Sequence, residues 1–305
     1  MVCYSPLKGW RSRKPTVNGK YGLTFKLSDG YHDQPMEVPC GQCVGCRLER
    51  SRQWAMRCMH EAQVHENNCF ITLTYDNENL PADKSLKLED FQKFMKRLRK
   101  KYGPEIRFYH CGEYGDKHGR PHYHAILFNH DFSDRTHWST NNGYPLYISA
   151  ELQHLWPYGY SSVADVTFDS AAYVARYVMK KITGEKAEDH YARYCQETGE
   201  YLYSIKPEYN TMSRRPGIGK TWYEKHKTDV YPHDYVVVNG KKMKPPKYYD
   251  AILAFENEVE YNEIKRKRKL KAKQLEEDNN DERLAVKERK KLLDLKKLKR
   301  PIGDQ

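Results

Sequence analysis

The sequence lacks most of what an exported or membrane-bound protein needs. Its first residues, MVCYSPLKGWRSRKPTV, contain no apolar h-region, so no secretory signal peptide is expected there. No apolar run approaches the roughly 20 residues of a membrane-spanning helix, which disfavours a membrane partner. Acidic residues are the minority charge, 41 against 53 Lys and Arg, for a net +12 at pH 7. The larger share of that surplus lies in the body rather than in the tail from Phe255, and it favours a polyanionic partner. A phosphate loop is missing too: RRPGIGKTW ends like one, but Arg214 stands five residues before Gly219, where glycine is required. There are no internal repeats. Disulfides are not expected, because a chain without an export signal is placed in a reducing cytoplasm, where clustered thiols point to metal.

What the chain does have is tyrosine. Twenty-five tyrosines and five tryptophans lie among the charges, a mixture that suits single-stranded nucleic acid, whose bases stack and whose phosphates need cations. The pattern predicts a helix from Gln42 to about His65, a β-branched strand CFITLTY at 69–75, and an amphipathic helix through Leu88, Phe91, Met95, Leu98 and Tyr102, ended by Gly103-Pro104. Two strands, IRFYHCGE and PHYHAILF, follow around the turn-rich YGDKHGRP. A strand SSVADVTF then leads into a helix capped at Asp169 or Ser170 and stopping at Gly184.

The expected fold class is therefore α+β, with a mainly antiparallel central sheet flanked by helices over residues 69–184. A Cys-rich module and helix (1–68) precede it. A Tyr-rich, irregular extension (185–250) and a charged tail (251–305), helical or disordered, follow.

Three constellations carry chemistry. In PHYHAILF the period-2 geometry of a strand turns His122 and His124 to one face and Tyr123 to the other. Glu113 ends the partner strand, so one carboxylate and two imidazoles can share a cation. That donor set, completed by water, suits Mg2+ or Mn2+ more than Zn2+. In YVARY, Tyr173 and Tyr177 stand one turn apart on a predicted helix, with Lys180 and Lys181 a turn further along. A phenol, with its pKa near 10, attacks phosphate only where a cation favours the phenolate or takes up developing charge. In CGQCVGC, Cys40, Cys43 and Cys46 repeat the C-x-x-C spacing that grips a tetrahedral Zn2+, and Cys3 is available as a fourth thiolate. Cys58, Cys69, Cys111 and Cys195 are isolated and read as small buried residues.

The T-L-T-Y strand, the H-hydrophobe-H strand with a carboxylate before it, and the later Y-x-x-x-Y helix resemble the two-tyrosine HUH endonucleases. Within them, GEYG, GRPHYHAILF, YVARYVMKK, SRRPGIG and the N-terminal PCGQCVGCR resemble the replication initiation proteins of gokushovirus-type microviruses, small phages with circular single-stranded DNA. The resemblance covers residues 1–223 and leaves the tail uninformative. It departs at Tyr123, in a slot more often aliphatic, and the third ligand varies across the superfamily. It implies an HUH core whose metal, on Glu113, His122 and His124, polarises the scissile phosphate of origin DNA while Tyr173 and Tyr177 attack by turns. It further implies single-stranded DNA and the replication origin as substrates, host helicase and DNA polymerase as partners, and the cytoplasm of a bacterial host as the setting. Two other readings share parts of the pattern: a zinc-stabilised nucleic-acid-binding protein without catalysis, and a two-tyrosine transposase or plasmid initiator. Tyr158, Tyr160, Tyr191 and Tyr194 are the alternative nucleophiles if the helix register differs.

Overall fold

A computed structural model describes residues 3–17, 19, 21–115, 119–141, 143–176 and 186–297. In chain order, three strands come first, β1 (Leu7–Pro15), β2 (Tyr21–Thr24) and β3 (Gly30–Val38), then helix α1 (Val44–Ala62). Next are β4 (Asn68–Tyr75), α2 (Leu88–Tyr102), β5 (Arg107–Tyr114), β6 (Pro121–Phe128), β7 (Thr136–Asn141), β8 (Tyr144–Ile148), α3 (Ala150–Leu155), β9 (Gly159–Ala164) and α4 (Phe168–Arg176). Then follow α5 (Lys186–Tyr191), β10 (Ala192–Tyr194), β11 (Tyr201–Ser204), β12 (Tyr209–Met212), α6 (Lys220–Val230), β13 (Val236–Val238) and β14 (Lys241–Met243). Three helices close the described chain, α7 (Lys247–Glu256), α8 (Glu258–Gln274) and α9 (Asp281–Lys297).

The chain divides into two compact units, one within Met1–Arg50 and Asn262–Leu298 and the other within Ser51–Tyr261. In the first, β1, β2 and β3 form an antiparallel sheet in the order β2-β1-β3. Its helical part is the charged tail, which buries Ile264 and Leu284. Tyr4, Leu284, Lys287 and Lys291 line a shallow hollow of about 310 Å3, so α9 lies beside the N-terminal segment.

The second unit is built on a seven-stranded sheet, order β12-β5-β6-β4-β9-β8-β7, in which every pairing is antiparallel. Strand alternation sorts its residues into two cores. On one face Ile71, Leu73, Tyr75, Tyr123, Ala125 and Leu127 pack against Phe91, Phe94, Met95 and Leu98 of α2 and against Trp156. α2 forms because those apolar residues recur at helical spacing, while Glu89 and Asp90 in its first turn and Arg99, Lys100 and Lys101 in its last complement the helix dipole. Burying each of its large apolar side chains stabilises the unit by about 1.5–3 kcal/mol. On the opposite face Phe70, Tyr109, Cys111, Ile126 and Phe128 pack against Ala55 and Cys58 of α1 and Ala171, Val174 and Ala175 of α4. Ser51 Oγ donates to the Ala172 carbonyl (3.2 Å), tying α1 to α4.

Several local expectations change. The cap of α4 is Thr167: its Oγ1 accepts from Ser170 N (3.0 Å), and its own N–H donates to Ser170 Oγ (2.8 Å). Ser170 is thus the reciprocal partner of a capping box, and Asp169 falls inside the first turn. The strand expected at SSVADVTF begins two residues earlier and ends at Ala164. The stretch expected to be irregular up to Asp250 contains β10 to β14 and α6. Cys58, Cys69 and Cys111 are buried as expected, whereas Cys195 is half-exposed. The expected helix stop at Gly184 lies outside the described residues.

Candidate metal centre and tyrosine helix

β5 and β6 pair with Glu113 opposite His122 and Cys111 opposite His124, so the carboxylate and both imidazoles project from the same face. The three ligand groups of Glu113, His122 and His124 lie within 4.8 Å of one another. Both Nε2 atoms meet one oxygen, Glu113 Oε1, each at 2.9 Å. Glu113 and His124 are buried, and His122 keeps 12% of its side chain exposed, so the group opens to solvent on that side.

The outward nitrogens are also engaged. His122 Nδ1 lies 3.1 Å from the Arg120 carbonyl. A carbonyl only accepts, so Nδ1 carries the proton and the neutral ring aims its Nε2 lone pair at Glu113. His124 Nδ1 is 3.0 Å from Thr72 Oγ1, in the same outward role. Lone pairs of two imidazoles and a carboxylate oxygen thus converge, a set that repels itself unless a proton or cation sits among them. Outward N–H groups held by oxygen and inward lone pairs are the arrangement of metal-binding histidines, so these residues fit a divalent cation. Burial alone would raise the Glu113 carboxyl, but its hydrogen bonds with His122 and His124 and their charge outweigh it and hold the group at about 2.

Helix α4 brings Tyr173 to this group. Its ring meets that of His124 edge to face, centroids 5.2 Å apart at 84°, and it also packs on Phe70. Tyr173 is buried. Tyr177, Lys180 and Lys181 lie outside the described residues. Of the alternative tyrosines, Tyr191 is buried and donates to Glu208 Oε2 (2.5 Å). Tyr158 packs in the core on the far face of the sheet, and Tyr194 is exposed on β10. Tyr123 faces away from the metal group, as expected, and is hydrogen-bonded to Tyr75 Oη (2.9 Å).

Two residues of the site escape local sequence reading. Thr72, which orients His124, is set by the pairing of β4 with β6. Tyr160 is opposite Thr74, which is opposite His122, so Glu113, His122, Thr74 and Tyr160 form one row on one face. Tyr160 is 70% exposed, an aromatic ring held in the open beside a polar group. The signal for Thr72 is present as alternation, since Thr72 and Thr74 interrupt the apolar positions of β4; no local signal marks Tyr160.

The first unit holds the cysteine cluster. The sulfurs of Cys3, Cys40, Cys43 and Cys46 lie within 4.8 Å of one another. Cys3 Sγ is 3.7 Å from Cys40 Sγ and 3.9 Å from Cys43 Sγ, too far for disulfides. Backbone N–H groups point at the sulfurs: Tyr4 N to Cys43 (3.3 Å), Cys40 N to Cys3 (3.3 Å) and Cys43 N to Cys40 (3.2 Å). Burial opposes ionisation of Cys43, yet the N–H groups of Tyr4 and Cys46 and the neighbouring thiols bring it down to about 7, whereas burial pushes Cys46 up to about 12. Four convergent sulfurs fed by N–H donors fit a metal–thiolate cage.

A histidine pair and a carboxylate on a central antiparallel hairpin, with a tyrosine-bearing helix against them, define a replication-protein class in which the comparisons place the chain. The family described as replication-associated protein ORF2 matches residues 68–182, which carry β4 through α4. The chain is 36% identical over 288 residues to the replication-associated protein VP4 of Bdellovibrio phage phiMH2K, covering 91% of this chain and 85% of that one. It is 32% identical over 252 residues to the replication-associated protein ORF2 of Spiroplasma virus 4 (77% and 74% covered). Replication-associated protein ORF4 of Chlamydia phage 1 is 32% identical over 269 residues (82% and 64%). No solved structure matches the chain significantly. The chain belongs to the family of microvirus replication-associated proteins. No helix among the described residues is long and apolar enough to cross a membrane.

Proposed function

We propose that this protein is a two-tyrosine HUH endonuclease that initiates and terminates rolling-circle replication of a phage genome by nicking and rejoining origin DNA. The observation that carries this reading is the convergence of Glu113, His122 and His124 on one point, with Tyr173 packed on His124. A Mg2+ or Mn2+ ion held there would supply Lewis-acid polarisation of the scissile phosphate. The Tyr173 or Tyr177 oxygen attacks phosphorus, forming a phosphotyrosine ester to the 5′ end and breaking the bond to the 3′ oxygen, which leaves as a 3′-OH that a host polymerase can extend. The phenol proton passes to solvent. Forming a phenolate at pH 7 from a pKa near 10 costs about 4 kcal/mol, which cationic neighbours must offset. Lys180 and Lys181 are assigned that role together with stabilisation of the attacked phosphate.

Because the ester conserves the phosphodiester bond, a 3′-OH attacking it rejoins the strand without ATP. Two tyrosines let one hold the growing 5′ end while the other cuts the displaced strand. Substrate is single-stranded or extruded DNA, whose backbone enters the open His122 side, and a host helicase supplies the unwound strand in the bacterial cytoplasm. The cysteine cage is assigned a structural Zn2+. A tetrahedron with metal–sulfur bonds of about 2.3 Å has edges of about 3.8 Å, against the 3.7 and 3.9 Å between its sulfurs. A purely DNA-binding protein would have no use for the outward-braced histidine pair.

The test is nicking of a supercoiled plasmid bearing the phage origin. H122A/H124A should lose cleavage by at least about 100-fold while keeping most DNA affinity, which comes from distributed phosphate contacts. Undiminished nicking by that variant would overturn the metal role.

A further inference from the structure

The motif SRRPGIG is not a phosphate loop, and its folding shows a different use of its arginines. Arg107, at the start of β5, donates from Nη2 to the Pro216 carbonyl (2.6 Å) and from Nη1 to that of Arg215 (3.3 Å). Its Nε reaches Glu61 Oε1 (2.5 Å), whose other oxygen accepts from Gly219 N (2.6 Å). Gly219 takes φ +81°, and a Cβ there would stand 2.6 Å from Tyr249 Oη, so the turn needs glycine. Arg57 Nε adds a bond to the Ile218 carbonyl (2.9 Å). The backbone of residues 215–219 is thereby pinned through its polar groups.

The side chains of Arg214 and Arg215 take no part in this pinning. Both are exposed and, among the described residues, neither forms an ion pair. They line an open cavity of about 740 Å3 together with Arg99, Arg107, Glu61 and Glu105. Glu61 is spent on Arg107 and Gly219, which leaves three guanidinium groups facing one carboxylate, that of Glu105. Arg99 is itself half-buried and bonded to the Ile106 carbonyl (2.7 Å). A rigid turn that presents unpaired guanidinium forks into a basic cavity matches phosphate, which arginine binds in bidentate fashion. The cavity lies at the Arg107 end of β5, six residues from Glu113, or about 20 Å along the strand.

We propose that this cavity is a second DNA site, in which Arg214 and Arg215 hold backbone phosphates away from the scissile bond. The inference rests on the proposed action on DNA. It separates two tasks along one strand of the sheet, chemistry at Glu113 and anchoring at Arg215.

The experiment uses the full chain and fluorescent single strands of about 30 nucleotides, titrated across salt concentrations without added divalent cation. R214A/R215A should lower affinity about tenfold and reduce the salt slope by about 1.4, the value for two lost phosphate contacts on single-stranded DNA. R214K/R215K should keep the slope. E105Q, which removes the opposing charge, should tighten binding, and it needs no loss of fold to be read. Metal-dependent cleavage of a short strand at saturating concentration should be unchanged in all three. An unchanged slope in R214A/R215A, or equal loss of short-strand cleavage, would overturn the second site. If the wild-type chain cleaves no DNA yet shows the arginine-dependent slope, the nuclease reading fails and this site stands.

Discussion

Tyr173 and His124 stand ring edge to ring face, 5.2 Å between centroids, although one belongs to α4 and the other to β6. The contact sets a tyrosine against a residue whose Nε2 already faces Glu113. Tyr173→Phe keeps the packing on His124 and Phe70 and removes only the oxygen. It should therefore fold normally and still form a covalent DNA adduct through Tyr177, but it should fail in repeated cleavage and circularisation. Multiple-turnover circle formation by the Phe variant at the wild-type rate would show that Tyr173 is packing alone.

Tyr160 offers an exposed ring in the row that contains His122 and Glu113. Stacking one base on an aromatic ring contributes about 1–3 kcal/mol. Tyr160→Ala should weaken single-strand binding by roughly 5- to 100-fold and raise KM with little change in kcat, while Tyr160→Trp should restore both. An adduct on Tyr160 itself, or equal affinity for the Ala variant, would count against a stacking role.

The cysteine cage gives a stability prediction. Cys40→Ser with Cys43→Ser should eliminate one bound zinc per chain and lower the melting temperature by about 10 °C or more, because structural zinc supplies folding energy. Metal analysis of the purified wild type and thermal melts of both proteins check this. Zinc-free wild-type protein that tolerates both changes would remove the site.

Acid should destabilise the second unit through histidines buried in neutral form. Burial, with the charge of His226, takes His60 down to about 3, where it is hydrogen-bonded to Tyr249 Oη and stacked on Trp222. Burial takes His130 to about 4, only partly countered by Glu151, and burial with the charge of His124 takes His110 well below its ordinary value. These groups bind protons more readily when unfolded, near pH 6.5, than when folded. Their contribution is complete above pH 6.5 and declines as pH falls toward 4. By pH 4.5, His60 and His130 should each have lost on the order of 2 kcal/mol. Urea melts at pH 7.5 and 4.5 measure the difference, and coincident midpoints would contradict it.

Much of the site is legible in the sequence because it depends on local periodicity. Two histidines separated by one residue in an apolar run must share a strand face, and the turn-rich link back to IRFYHCGE puts Glu113 on the adjoining strand. What depends on register between distant strands is not legible: Thr72 and Tyr160 reach the site only through the order β6-β4-β9. The strands of the first unit leave little to read, since β3 exposes seven of its nine residues and carries no apolar alternation. The charged tail reads as a solvated arm because most of its surface is polar; two buried residues, Ile264 and Leu284, mark its packed side.

The central claim is covalent attack by a tyrosine of the α4 segment beside a metal held by Glu113, His122 and His124. Its most direct measurement is peptide mapping of the protein–DNA adduct trapped after a single turnover on origin DNA with Mn2+. The account predicts phosphotyrosine at Tyr173 or Tyr177, a shift to the remaining tyrosine in each single Phe variant, and no adduct in the double Phe variant or in H122A/H124A. An adduct at another residue, with none at Tyr173 or Tyr177, would contradict it.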